Sequence, residues 1–206
     1  MDLGLQERSL PAVRPRGLTT ARLAWAAVAI TVILGLAAAV LAILARDVSL
    51  LLLPGPLTFA LMGGVLLARR PGHPMGPLLC LAGLADVIAV LPYTYLRYTL
   101  VHPGSLPFST AMLWLNTWAY APATMLGGPI LLMFFPEGTL VSRRFRPALW
   151  AALAFIPFSI AGYAFEPQNL GSLFHNQANP YVMPRLDGLF EAFQALSVVC
   201  GLVAGA

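Results

Sequence analysis

The sequence predicts an all-α integral membrane protein, a polytopic helical bundle of five complete transmembrane helices and a sixth cut short. Three observations predict it. First, 59% of the 206 residues are hydrophobic and 10% are charged, whereas a soluble domain carries about 25% charged residues. Mean hydropathy is +0.79, and a chain this apolar cannot cover a water-facing surface. Second, apolar runs long enough to cross a hydrocarbon core alternate with short turns rich in Pro, Gly and Arg. Third, the basic residues are all arginines, and they crowd alternate turns.

Residues 1–20 are polar and lack periodicity, and read as a cytoplasmic N-terminal tail. The membrane domain is then 21–206. Its first span, about 23–45, is too long for the apolar core of a signal peptide and ends at Arg46 and Asp47. The second, about 50–68, is interrupted by Pro54-Gly55-Pro56, so a kink is expected, or a first turn lying in the headgroups. Within it Ala60, Gly64 and Ala68 recur every fourth residue, a pattern that permits close helix contact and also arises by chance in an alanine-rich chain.

Arg69-Arg70-Pro71-Gly72-His73-Pro74 makes a basic turn. The third span is about 75–98, followed by an outer turn with Arg97, His102, Pro103 and Gly104. The fourth, about 108–135, carries Pro122, Gly127, Gly128 and Pro129, which predict a kink or a local break. Pro136 and Gly138 stop it, and Arg143, Arg144 and Arg146 form a basic hairpin before Pro147 opens the fifth span, about 147–165. Residues 166–186 are the one sizeable outer loop. The sixth span, about 186–206, is still apolar at its last residue, which suggests a fragment or a truncated frame with more chain on the cytoplasmic side.

Counting arginines by side fixes the orientation. Arg8, Arg14, Arg16, Arg22, Arg69, Arg70, Arg143, Arg144 and Arg146 fall on one side, and Arg46, Arg97 and Arg185 on the other. The richer side is cytoplasmic by the positive-inside rule. Arg143, Arg144 and Arg146 most simply bind anionic lipid headgroups, at about 1 kcal/mol each near the surface. They are not a nucleic-acid footprint, and no nucleic-acid partner is expected.

The hairpin resembles a feature of actinobacterial sensor histidine kinases, whose N-terminal membrane region carries a motif like L-F-P-D-G-R-L-P-S-R-R-W-R-P followed by a tryptophan. The matching residues are Phe135, Pro136, Gly138, Leu140, Ser142, Arg143, Arg144, Arg146, Pro147 and Trp150, with Glu137, Thr139, Val141 and Phe145 as departures. Arg69 to Gly76 is similar to that family's R-R-P-x-N-P-I-G turn, with His73 for Asn. Asn179-Pro180 is similar to its N-P segment. The resemblance implies that 21–206 is a transmembrane sensor domain in a bacterial plasma membrane. It further implies a homodimer, and a downstream kinase core with a response regulator as partner. None of the kinase core lies in these residues: there is no nucleotide loop, and His73 matches no phosphoacceptor box. The alternative from another class is a small polytopic transporter or channel subunit.

Bottom-up, Asp86 is the sharpest residue. It falls near the middle of the third span, where a charge costs about 2.5–3.5 kcal/mol. Its expected partner is Asn116 or Thr124 of the fourth span, between which it falls in depth. The functional reading is a proton- or ion-sensitive switch or a ligand contact; the plain reading is a protonated carboxyl joining two helices. Tyr93, Tyr95, Tyr98, Trp114, Trp118 and Tyr120 crowd the outer halves of spans three and four. They form an interfacial belt, or the walls of a pocket for an apolar or cationic ligand.

Glu166, Gln168, Asn169, His175, Asn176, Gln177 and Asn179 give the outer loop its polar character, either as a ligand reader or as a solvated connector. Glu137 is expected to cap the hairpin or pair with Arg143 or Arg144. Cys80 and Cys200 lie in apolar runs and read as small packing residues. No catalytic triad, paired catalytic carboxylates or CxxC motif is present, and no cofactor or metal is expected.

Overall fold

The computed structural model describes residues 16–165, 181 and 183–205. The described residues are helical, with no strand among them. Five helices are long and apolar enough to cross a membrane: Arg22–Leu44, Val48–Arg69, Met75–Val101, Arg143–Ala164 and Asp187–Gly205.

Helix α1 runs from Arg16 to Leu44. It therefore begins inside the expected tail, of which residues 1–15 lie outside the described residues. An apolar run marks where a helix meets hydrocarbon, and Arg16 to Arg22 extend the same helix with polar residues. After α1, Asp47 caps a short 3-10 turn, Val48–Leu52, by accepting a hydrogen bond from the Ser49 amide at 2.8 Å. Helix α2, Pro54–Arg69, follows directly. The Pro-Gly-Pro interruption thus marks a junction between a 3-10 turn and an α-helix. Both prolines sit in the first turn, where their missing donors break no bond.

Helix α3, Met75–Val101, is the centre of the molecule. It packs against α1 and α2 on one side and the fourth segment on the other. His73 Nδ1 accepts from the Met75 amide at 3.3 Å and so caps its start. The contact with α2 is close because side chains are missing there. A Cβ on Gly63 would meet the Cys80 amide at 2.7 Å, and one on Gly83 would meet the Pro56 carbonyl at 2.6 Å. The expected stripe of Ala60, Gly64 and Ala68 is divided. Ala60 faces α3, Gly64 faces Val28 and Trp25 of α1, and Ala68 is exposed. The face of α2 that meets α3 is formed by Ala60 and Gly63.

The fourth segment is not one helix. It comprises α4 (Ser109–Trp118), α5 (Tyr120–Met125), a wide π turn over Leu126–Ile130, and α6 (Leu131–Phe134). Gly128 leaves helical geometry at φ −110° and ψ −106°. Pro122 and Pro129 each withdraw one amide donor, and the ring of a proline crowds the carbonyl four residues earlier. The expected break is therefore present, centred on Gly128, and the fourth of the expected spans is this broken segment.

After the hairpin, α7 spans Arg146–Ala164 with Pro157 inside it, and α8 spans Asp187–Gly205. These two pack antiparallel along their length. Phe165 stacks with Phe190, and Phe158 with Phe193, at centroid distances of 5.9 and 5.8 Å. A buried cluster of Met125, Ile130, Ala152 and Ala204 ties the fourth segment to α7 and α8. The bundle is thus two groups, α1–α2–α3 and α7–α8, joined through the broken segment.

Cys80 and Cys200 are free thiols, the first buried.

Candidate functional site

The site grows from the break. Where the fourth segment departs from helical geometry, it leaves a cavity of about 280 Å³ against α2 and α3. Phe59 of α2, Asp86 and Ala89 of α3, and Tyr120, Ala123, Thr124 and Gly127 of the fourth segment line it. Small residues at positions 89, 123 and 127 leave the volume unfilled. Asp86 is half-buried. It makes no hydrogen bond or ion pair among the described residues. Its nearest constraint is Gly55, where an added Cβ would sit 3.1 Å from Asp86 Oδ2. The glycine of the Pro-Gly-Pro junction thus leaves room for the carboxylate.

Thr124 joins Asp86 in this cavity, as expected, but does not bond to it. Its hydroxyl donates to the Tyr120 carbonyl at 2.8 Å, closing a bond within its own turn. Asn116 does not line the cavity. It sits on α4, two turns earlier, and matching it to Asp86 assumes a straight fourth helix.

The outer aromatics do not form one pocket. Tyr93 packs against Leu96 and Leu113. The Tyr95 hydroxyl donates to the Pro107 carbonyl. Tyr98 stacks on His102 at 4.5 Å. Trp114 donates through Nε1 to the Ala164 carbonyl at 2.8 Å, pinning α4 to the end of α7. It also contacts the Trp118 and Tyr181 rings, each at 5.2 Å. Trp118 Nε1 is buried without a hydrogen-bond partner among the described residues. Only Tyr120 faces the cavity, and its ring meets Tyr163 edge-on at 5.9 Å. The Ser159 hydroxyl lies beside Tyr120 without the geometry of a hydrogen bond.

Two charged features lie at the ends of the bundle. On one end, Asp47 is paired with Arg97 through Nε at 2.5 Å. Burial pushes the Asp47 carboxyl up, but the Ser49 amide and hydroxyl and the Arg97 guanidinium outweigh it, and the carboxyl is held below its ordinary range. The Ser49 hydroxyl adds to that field without a well-formed hydrogen bond. On the other end, the hairpin closes with Gly138 N–H on the Phe134 carbonyl at 2.7 Å and Val141 N–H on the Met133 carbonyl at 3.1 Å. Ser142 accepts from the Arg144 amide at 3.3 Å. Ser142, not Glu137, therefore caps the basic turn. Glu137 is exposed and pairs with neither Arg143 nor Arg144. Arg143, Arg144 and Arg146 are all exposed, with no ion pair among the described residues.

The hairpin lies against the other basic turn. A Cβ on Gly138 would overlap Pro74 Cγ. The turns bearing Arg69, Arg70 and Arg143 to Arg146 thus share one end, and those bearing Asp47 and Arg97 share the other. The polar residues expected in the outer loop, Glu166, Gln168, Asn169, His175, Asn176, Gln177 and Asn179, lie outside the described residues, as does Asn179-Pro180. No group of three or more metal-ligating side chains occurs among the described residues.

Sequence reasoning missed Phe59 and Tyr163. An aromatic residue within an apolar helix carries no polar mark to single it out. The Asp47–Arg97 pair was signalled only by opposite charges at the same expected end.

No family model, curated protein or solved structure matches this chain.

Proposed function

We propose that this chain is the membrane-embedded input region of a two-component sensor histidine kinase, homodimeric and multi-pass in a bacterial plasma membrane, with a cytoplasmic N-terminus. The observation that carries the reading is the unpaired Asp86 carboxylate in a cavity at the break of the fourth segment. An intramembrane ionisable residue with space beside it is a functional feature by its cost alone. The break gives the fourth segment a second arrangement within reach. From there the fourth segment packs on α7, and α7 packs on α8. A stimulus at Asp86 shifts the population of segment conformations, and α8 carries the shift toward the kinase core. Support for the kinase assignment comes from the hairpin motif around Arg143, Arg144 and Arg146.

The test uses α8 as its own reporter. Cys200 is partly exposed on α8, whereas Cys80 is buried. A fluorophore on Cys200 in protein reconstituted into lipid nanodiscs reports its environment. Asp86→Asn is expected to insert normally and to shift the reporter's response to pH and ligands. A reporter that behaves identically in the variant removes Asp86 from signalling.

The same combination of broken helix and midplane carboxylate favours a second reading, a small transporter or channel subunit. Ion or solute flux into proteoliposomes that is abolished by Asp86→Asn, with a silent α8 reporter, selects it.

A further inference from the structure

The Asp86 cavity has a definite chemical character, and the inference here deepens the input reading by naming its ligand class. We propose that the cavity binds a small organic cation that enters from the lipid side.

Charge comes first. Asp86 is the one acidic residue lining the cavity, and no Arg or His lines it. The carboxyl has no partner among the described residues, so on ionising it gives the cavity a negative charge with no counter-charge beside it. The walls come second. Phe59 and Tyr120 offer aromatic rings, and such faces attract organic cations. Thr124 adds an oxygen whose proton is already engaged with the Tyr120 carbonyl. That hydroxyl therefore presents its oxygen, the negative end of its dipole, to a ligand, which suits a cation.

Size decides between an organic and an inorganic cation. About 280 Å³ is available, whereas a water occupies about 30 Å³ in the liquid. A single dehydrated metal ion leaves most of that space empty. A calcium ion also takes 6–8 oxygen ligands, and Asp86 is the cavity's single carboxylate. A cation with an apolar body fills the volume and covers the rings. The opening gives the route. Thr124 is exposed and Tyr120 is 38% exposed on the flank of the bundle, so the cavity opens on that flank of the fourth segment. A cationic amphiphile concentrated at the bilayer reaches it without crossing the protein.

The test measures binding of radiolabelled benzyltrimethylammonium to the protein in phosphatidylcholine nanodiscs, whose headgroups carry no net charge. Unlabelled benzyltrimethylammonium should compete. Neopentylbenzene, which has the same shape without the charge, should compete at least about thirtyfold less well. Asp86→Asn should weaken binding by a similar factor, and Phe59→Leu by about three- to tenfold. Equal competition by neopentylbenzene, full binding by Asp86→Asn, or no saturable binding to the wild-type protein would each overturn the proposal. The comparison with neopentylbenzene uses wild-type protein, so it stands even where a variant folds poorly. The Cys200 fluorophore separates the two readings. Cation binding with no α8 response leaves the site and removes the input role; an α8 response to pH with no cation binding does the reverse.

Discussion

Arg97 Nε lies 2.5 Å from Asp47 Oδ2, and this contact fastens the turn after α1 to the last turns of α3. Asp47 is 4% exposed and Arg97 38% exposed. The carboxylate is thus held mostly out of solvent while its partner reaches outward.

Asp47→Asn is expected to destabilise the bundle by about 1 kcal/mol, a figure kept low because the guanidinium is over a third exposed. The pH dependence has a definite sign. Asp47 is held below its ordinary value in the folded state, so its stabilisation is complete above the unfolded carboxylate pKa, about 3.9. It is lost as pH falls through the lower folded value. Melting temperatures of wild type and Asp47→Asn should differ at pH 7 and converge once the pH falls below the lowered folded value. A gap that persists in acid would assign the difference to packing.

Gly138→Ala tests the contact between the two basic turns. Gly138 has φ +76°, and a Cβ there would overlap Pro74 Cγ. Gly72 supplies the control, with φ +98° and nothing within 4 Å of an added Cβ. Gly72→Ala should cost about 1 kcal/mol from backbone strain, and Gly138→Ala should cost clearly more. Equal losses in thermal unfolding would mean that the turns do not support each other.

Gly63→Ala and Gly83→Ala place a methyl group 2.7 and 2.6 Å from backbone atoms of the facing helix, where nothing can rotate away. Each is expected to lower stability by about 1–3 kcal/mol through overpacking. Gly64→Ala meets only the side chains of Val28 and Trp25, at 3.1 Å and beyond, and should cost less. Denaturant unfolding in detergent micelles ranks the three, and Gly64 as the most sensitive would contradict the helix pairing.

The two indoles make opposite predictions. Trp114→Phe removes the bond to the Ala164 carbonyl and should cost about 1 kcal/mol beyond the lost ring area. Trp118→Phe removes an Nε1–H that is buried without a hydrogen-bond partner among the described residues, and relief of that group should offset part of the lost area. Because the two rings touch, a double-mutant cycle by thermal unfolding with both tryptophans replaced should depart from additivity by about 0.5 kcal/mol or more.

The helices were legible because runs of about twenty apolar residues outweigh local detail. The break was legible as well, since Pro122, Gly128 and Pro129 mark it directly. What escaped was orientation around each axis. Depth counting placed Asp86 between Asn116 and Thr124, yet which face a residue presents depends on helix phase, which depth alone does not give. Interfacial preference likewise sets the depth of Tyr93 and Trp114 but not their direction, and they face different neighbours. Glu137 and Arg143 are close in sequence, but the hairpin closes through backbone bonds that leave the carboxylate in solvent. The start of α1 was hidden because Arg16 to Arg22 are polar and still suited to a helix.

The π turn over Leu126–Ile130 has a consequence for inheritance. Gly128 leaves helical geometry there, and the number of residues across the break sets how far the residues beyond it are turned, by about 100° per residue. Trp114 and its bond to Ala164 stand before the break, and Met133 and the hairpin stand after it. Loss of a single codon between positions 126 and 130 would rotate one half of the segment against its neighbours by about 100°. Substitutions can accumulate in either half on their own, but the number of residues between them cannot change.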